Sequence, residues 1–397
     1  MWSRLLIIVL LLVPAQGLSA AAHAGAKERV RALAPKGIVL VIDEQGNELI
    51  AQNVDKPFVP ASVAKVVTAW LAMEVLGPDY RFKTHFYLDE NRVLYVRGGG
   101  DPMLVSEELV LLAPALVAAI GTEPVTGIVL DPSYYPDEVR IPGIENNSRS
   151  YNALNSALAV NFNTINAVRR GKSVVSGEKQ TPITPLAISQ FRARGPRGRG
   201  RISLAKDPKL SLLYAGELLS AFIDKAGGKV EGEITIGPVP EGLQPVYIHQ
   251  QSRSLAAIIN LLLIGSNNYI ANQVFLEIGA QRYGGPVSLE KSLRVANEML
   301  AANGLQDDIY LEEGSGLSRG NRFTANGLAQ VLNLFVTYAE LMQGRNGGTN
   351  KTGTMSGIRT LAGYADTANH GRVRFVIALR GGGRLRYQVL KAIERGL

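Results

Sequence analysis

The stretch "PASVAKVVTAWLAMEVLG", Pro60 to Gly77, sets the architecture of this chain. Val63, Val66, Val67, Trp70, Leu71, Met73 and Val75 put apolar side chains nearly all round a helix, the pattern of a helix buried on every side. Gly77-Pro78 ends it. Ser62 and Lys65 stand three apart at its start and therefore share a face. A lysine among such neighbours loses solvation, its pKa falls, and a neutral amine can accept a serine proton. The free N–H groups of a first helical turn also suit a developing oxyanion.

Either side of this helix the chain reads as strand. "GIVLVIDEQGNELIAQN" (Gly37–Asn53) is two β-rich runs about a Gln-Gly-Asn turn. At the far end, one strand starts at Lys351 and runs through "IRTLAGYAD". A second, "RVRFVIALRG", alternates Val373, Phe375, Ile377 and Leu379, and "RYQVLKAIERGL" closes the chain as a helix. The simplest assembly is one antiparallel sheet built from both ends of the chain, with helices on its faces. Between about Tyr80 and Gln250 short β-like runs alternate with Gly/Pro turns, the texture of an inserted β-rich lobe. Residues 255–283 return to helix, and Thr324–Met342 reads as one more, capped by Thr324. The expected organisation is 25–80 with 251–397 as one domain and 81–250 inserted into it.

Residues 1–24 combine Arg4, an apolar run from Leu5 to Val13 and the small-x-small pattern Ala22-His23-Ala24, the layout of a secretory leader cleaved near Ala24. The run is shorter than the roughly 20 residues a spanning helix needs, so no stable membrane anchor is expected after cleavage. The chain has no cysteine, which excludes disulfides, thiolate metal sites and cysteine nucleophiles. Once His23 leaves with the leader, His85, His249 and His370 are too scattered for a metal motif, so no cofactor is expected. The formal charge is +8, which favours anionic wall polymers or lipid headgroups as company outside the cytoplasm. "RARGPRGRGR" (Arg192–Arg201) has no interleaved aromatics for base stacking and reads as a solvated mobile loop, so nucleic acid is not expected as a partner.

The motif S-x-x-K occurs four times: "SVAK", "SGEK" (Ser176–Lys179), "SLAK" (Ser203–Lys206) and "SLEK" (Ser288–Lys291). "SGEK" is polar and Gly-containing, and in "SLAK" Pro208 follows too soon for a helix. "SLEK" opens an amphipathic helix with Ser288 as cap, so only "SVAK" opens a buried helix. "SNN", Ser266–Asn268, breaks two apolar runs. Its serine can relay a proton and its asparagine amide can hold a substrate amide, or the triplet merely caps a helical hairpin. "SYN", Ser150–Asn152, has the same spacing in a polar loop of the insertion. In "NKTGTMSGI" (Asn350–Ile358) Lys351 offers a cation, Thr352 and Thr354 hydroxyls, and Gly353 a place for a ligand backbone to come close.

Together and in that order, S-x-x-K, S-x-N and K-T-G form the set found in class A β-lactamases and penicillin-binding proteins. The chain resembles the low-molecular-mass penicillin-binding proteins of the D-alanyl-D-alanine carboxypeptidase/endopeptidase type. "YVRGGGDPML" (Tyr95–Leu104), "YNALNSALAVNFN" (Tyr151–Asn163), "EGSGLSRGNRFTA" (Glu313–Ala325) and "TLAGYA" (Thr360–Ala365) extend the likeness. The resemblance implies an α/β (α+β), β-lactamase/transpeptidase-like fold: an antiparallel sheet flanked by helices, with the smaller lobe inserted. It implies an exported, periplasmic serine DD-peptidase whose partners are peptidoglycan peptides and β-lactam antibiotics. Ser62 would be nucleophile, Lys65 general base, and Ser266 with Lys351 the route of the proton to the leaving amine. Asn268 would hold the substrate amide, and Lys351, Thr352, Gly353 and Thr354 would line the carboxylate-binding strand. A β-lactamase or esterase on the same fold, and a decayed wall-binding protein, are the alternatives. Glu313 stands where the family usually has aspartate, and the lead-in Gln343–Asn350 is shorter than is usual.

Overall fold

The computed structural model describes residues 25–135, 139–204, 207–344 and 348–397; the expected leader lies outside them. Its centre is a five-stranded antiparallel sheet ordered β13-β14-β15-β1-β2. These strands are β1 (Ile38–Ile42), β2 (Glu48–Gln52), β13 (Thr349–Met355), β14 (Ile358–Thr367) and β15 (Gly371–Leu379). The two ends of the chain meet where β1 pairs with β15, Val39 opposite Ile377 and Val41 opposite Phe375. The expected pair of closing strands is three, because Ser356-Gly357 turns the chain between β13 and β14, with Gly357 at φ 75°.

Side-chain alternation gives this sheet two buried faces. Leu40, Ala362, Tyr364, Val376 and Ala378 face the helical core. Val39, Val41, Leu361, Phe375 and Ile377 face Val389 and Ile393 of the terminal Leu385–Gly396 helix, and Ala26 and Val30. The helix Ala64–Leu76 is buried without interruption from Ala64 to Met73, packed among the helices Leu255–Gly265, Asn268–Tyr283 and Ala325–Leu334. Each large apolar side chain so buried contributes about 1.5–3 kcal/mol, which lets the core tolerate the buried Lys65. Gly77 stops the helix at φ 82°, its N–H bonded to Met73 O. The expected helix Thr324–Met342 splits: Thr324 caps Ala325–Leu334, and β-branched Val336-Thr337 opens a 3₁₀ segment, Val336–Met342.

The segment expected as an insertion has its own hydrophobic cluster, from Phe86 to Tyr247. One sheet is ordered β10-β3-β4-β5-β9, from β3 (Lys83–Leu88), β4 (Val93–Gly98), β5 (Gly127–Asp131), β9 (Ile234–Ile236) and β10 (Pro245–Gln250). A smaller one is ordered β7-β6-β8, from β6 (Thr164–Arg170), β7 (Ser173–Ser176) and β8 (Gly198–Ser203). The lobe is more helical than its β-rich texture suggests. Ser106–Ile120 and Pro208–Lys225 cross over between the parallel strand pairs β4–β5 and β5–β9. The arginine-rich stretch is not one loop: Arg192 and Arg194 end the Pro185–Arg194 helix, and Gly198–Arg201 forms the first part of β8, paired with β6. A short ribbon, β11 (Ile309–Tyr310) with β12 (Arg322–Phe323), borders the helical core. The chain leaves that core and returns to it side by side, with Gln251 N bonded to Phe82 O (2.9 Å) and Leu255 N to Tyr80 O (2.8 Å).

Candidate active site

Ser62 lies in a 3₁₀ turn, Ala61–Val63, that leads into the buried helix, and Lys65 in that helix's first turn. Lys65 Nζ lies 3.1 Å from Ser62 Oγ, 2.8 Å from Asn268 Oδ1 and 2.5 Å from Ser315 O. Burial foremost, then the charge of Lys351, brings its pKa down to about 7, against the opposing pull of Glu313. Two of its three neighbours are carbonyl oxygens, which only accept. A neutral amine that donates to both has its lone pair left for the third neighbour, the Ser62 hydroxyl.

Ser266 closes the Leu255–Gly265 helix in a left-handed conformation (φ 53°, ψ 36°), and Asn267 caps the next helix. The sharp reversal aims Ser266 and Asn268 into one cleft, so the expected break between apolar runs and the expected cap are both present. Lys351 Nζ donates to Ser266 Oγ at 2.8 Å and to Thr352 O at 3.0 Å. Its pKa falls to about 8, through burial first and the neighbouring charge of Arg386 second. β13 is an edge strand of the sheet, so one row of its backbone groups is open to an extended ligand. Thr352 is half-buried on it and Thr354 exposed.

Gly353 has a packing reason besides the one expected. A side chain there would meet Thr360 Oγ1 at 2.1 Å and Pro60 O at 2.7 Å. Its bareness lets the Ser62 turn sit against the strand, where Thr360 Oγ1 donates to Pro60 O (2.7 Å).

The other S-x-x-K copies stay away from this cleft. Ser288 caps its helix through Lys291 N, Ser176 and Ser203 end strands, and Lys206 lies outside the described residues. "SYN", by contrast, returns to it: Tyr151 O accepts from Asn268 Nδ2 at 3.3 Å. Ser150, Tyr151, Phe162, Thr164 and Arg201 of the insertion line, with Gly265–Asn268, a cavity of about 310 Å³ beside the S-x-N turn.

Two supporting residues went unassigned from sequence. Glu313 is fully buried and accepts from Ser315 N and Oγ, Asn272 Nδ2, Ser318 N and Asn321 Nδ2. It folds the 313–318 loop so that Ser315 O meets Lys65. Arg386 Nη1 donates to Gly353 O (2.8 Å), Thr354 Oγ1 (3.1 Å) and Thr360 O (3.2 Å), fixing β13 from behind. The signal for Arg386 was its place on the apolar stripe of Val389, Leu390 and Ile393. Among the described residues no cluster of three or more His, Asp or Glu is arranged to hold a metal, and no helix is long and apolar enough to cross a membrane.

Comparison with known proteins agrees with this geometry. The chain is 28% identical to a D-alanyl-D-alanine carboxypeptidase of Actinomadura sp. (strain R39), over 88% of this chain and 78% of that one. It is 24% identical to the D-alanyl-D-alanine carboxypeptidase DacB of Haemophilus influenzae, over 84% and 83%. The crystal structure of penicillin binding protein 4 from Haemophilus influenzae shares the fold with a TM-score of 0.74 at 19% identity, covering 93% of this chain and 98% of that one. A predatory endopeptidase of Bdellovibrio bacteriovorus shares it at 0.53 and 19% identity, covering 90% of each. Residues 24–194 and 202–343 match the D-Ala-D-Ala carboxypeptidase 3 (S13) family, and with the S-x-x-K, S-x-N and K-T-G residues gathered in one cleft the chain belongs to that family of serine DD-peptidases acting on peptidoglycan.

Proposed function

We propose that Ser62 attacks the carbonyl of a D-Ala-D-Ala peptide bond, forming an acyl-enzyme that water then hydrolyses. The observation that carries this is the Lys65 amine, buried, brought to about 7, and facing Ser62 Oγ with its other two neighbours unable to donate. Lys65 takes the serine proton. Ser266, hydrogen-bonded to Lys351, passes a proton to the leaving amine. Asn268 holds the substrate amide. Lys351, Thr352 and Thr354 receive the terminal carboxylate on the open edge of β13, and the N–H groups of Ser62 and Thr354 bind the oxyanion.

The same serine takes up β-lactams; the Haemophilus influenzae relative has been crystallised with one. The protein is exported to the periplasm once residues 1–24 are removed, with 25–80 and 251–397 as catalytic domain and 81–250 as inserted lobe. Gln343 bridges to Thr349, and Gly344 N bonds to Gly348 O, so the short lead-in is pinched at its ends. Residues 345–347 within it lie outside the described residues. A short lead-in supports entry of bulky or cross-linked peptide next to Lys351. Rapid β-lactamase turnover is not favoured: Glu313, the acid that acts on Lys65, has both carboxylate oxygens committed to the loop it folds.

The test is labelling with a fluorescent penicillin beside D-alanine release from a pentapeptide. Wild type labels and releases D-alanine; Ser62→Ala does neither. Labelling of Ser62→Ala, or none of wild type, overturns the assignment.

A further inference from the structure

Behind the catalytic turn lies a groove of about 860 Å³ that the reaction does not use. Its walls come from the 33–38 segment, the 56–59 segment before Ser62, the Ser356–Ile358 turn after β13, and the end of β15. Lys36, Lys56, Arg319, Arg322 and Arg380 line it, and among the described residues no acidic one does. Lys36, Lys56, Arg322 and Arg380 are exposed, and among the described residues none of them is in an ion pair. Lys56 donates to Asn53 Oδ1, and Arg322 to backbone carbonyls, so these contacts leave their charges uncompensated. Between the cations the floor is apolar, with Phe58, Val59, Ile358, Leu379 and Leu385.

We infer that this groove docks a strand of peptidoglycan through the carboxylates of its stem peptides while another part of the network is in the cleft. The inference rests on the proposed function for its substrate and adds a second site for it. Three observations favour that occupant. Charge is complementary: concentrated, unpaired cations facing a polymer rich in carboxylates. Shape is complementary: the wall segments enclose a groove of about 860 Å³ rather than a flat face, which a polymer strand can enter and a flat bilayer cannot. And the groove adjoins the catalytic turn, since Thr360 in its wall is bonded to Pro60, two residues before Ser62. A carboxylate-bearing strand held there raises the local concentration of cleavable peptide, a gain that short soluble peptides do not receive.

The experiment compares wild type with the variant Lys36→Gln, Lys56→Gln, Arg322→Gln, Arg380→Gln on purified insoluble sacculi and on a soluble pentapeptide. On sacculi at low salt the variant is expected to be about ten-fold slower, and its rate to respond less to salt, because exposed charges act within a Debye length of about 8 Å at physiological ionic strength. Pentapeptide turnover and penicillin labelling stay within about two-fold, since none of the four residues lies in the cleft. A milder pair, Lys36→Gln with Arg380→Gln, gives a smaller loss in the same direction and guards against misfolding of the fourfold variant. Equal loss on both substrates overturns the inference. So does undiminished wild-type digestion of sacculi whose carboxylates have been chemically amidated, or wild-type binding to anionic lipid vesicles but not to sacculi. A wild type that neither labels nor turns over pentapeptide breaks the Ser62 assignment instead, and sacculus pull-down with the same variants still decides the groove.

Discussion

Replacing Glu313 by glutamine changes one atom and separates two jobs of that side chain. Its carboxylate takes Ser315 N at 2.7 Å, Ser315 Oγ at 2.6 Å and Asn272 Nδ2 at 3.2 Å on one oxygen. The other takes Asn321 Nδ2 at 2.9 Å and Ser318 N at 3.2 Å. Glutamine keeps a single oxygen. In its better orientation that oxygen serves Ser315 and Asn272, and the new NH₂ group faces the donors of Ser318 and Asn321. Asn321 cannot escape by rotating its amide, because its Oδ1 already accepts Glu312 N at 2.7 Å. Two buried donors without acceptors cost about 1–3 kcal/mol each, so about 2–6 kcal/mol in total. Against a stability of order 5–15 kcal/mol the domain still folds. Its melting temperature should drop by about 5–20 °C. The second effect is electrostatic: without the negative charge that favours the Lys65 ammonium, the Lys65 pKa moves further down. The acid limb of penicillin acylation, measured by stopped-flow from pH 5 to 9, should then shift to lower pH even as the maximal rate falls. Glu313→Asp keeps the charge but shortens the reach. It should leave the limb in place and lower the melting temperature by less. A folded Glu313→Gln protein whose limb stays put or moves up refutes Lys65 as the base that feels Glu313; an unchanged melting temperature refutes the loop network.

In wild type, stopped-flow acylation should rise through about pH 7 as Lys65 loses its proton and fall above about pH 8 as Lys351 loses the charge that holds the substrate carboxylate; a rate that is flat from about pH 6 to 9 contradicts both roles. Arg386→Met removes the cation that depresses Lys351, so the descending limb moves to higher pH while the loosened β13 slows acylation about ten-fold; a fixed limb in a folded variant contradicts the assignment. Gly353→Ala drives a methyl into Thr360 and Pro60 and should cost about 1–3 kcal/mol by thermal melt, with slower penicillin labelling because the Ser62 turn is pushed off the strand; wild-type labelling contradicts it. Asp101, buried against Met103 N and Gln251 Nε2, has its pKa raised from 3.8 to about 6, mainly by burial. A raised folded pKa means the folded state binds the proton more tightly. Stability is therefore lost as pH rises from about 4 through about 6, and Asp101→Asn should flatten that part of the melting-temperature profile relative to wild type.

How far the sequence could be read follows from what each feature depends on. The two hairpin runs, the all-round apolar helix and the caps Ser288 and Thr324 are local patterns, and each stands where it was expected. The three motifs were legible as a set because their order along the chain is itself information. What failed needed a partner to be seen. "RARGPRGRGR" reads as loop by composition, yet β6 supplies the hydrogen bonds that make Gly198–Arg201 a strand. Gly353 reads as a ligand contact, and its close packing on the Pro60–Ala61 turn, nearly 300 residues earlier in sequence, is a second reason that only the fold supplies. Glu313 stands out in sequence only as a departure from the family's usual aspartate, and the fold shows five donors converging on it. The "SYN" turn reads as part of a remote lobe, and its carbonyl contacts Asn268.

The site has two buried lysines that must differ in charge at one pH, and the structure separates them by their surroundings. Lys65 touches a hydroxyl and two carbonyl oxygens, and the nearest strong influences on it are opposed: Lys351 pushes its proton off and Glu313 holds it on. Among the described residues Lys351 bonds to a hydroxyl and its neighbour's carbonyl, and the cation acting on it, Arg386, is tied by two hydrogen bonds to β13 and by one to Thr360 of β14. Burial lowers the pKa of both amines, and it is their contacts that tell the two apart. On the proposed mechanism the amine facing Ser62 Oγ is the base, and the amine beside Ser266 on β13 is the one that meets the carboxylate. Arrival of that carboxylate beside Lys351 then offsets its charge, which removes part of what depresses Lys65. Substrate binding should therefore raise the Lys65 pKa, so the acid limb for a carboxylate-bearing peptide lies at higher pH than for an uncharged ester acylating the same serine. Coincident limbs for the two substrates would show that the lysines do not communicate.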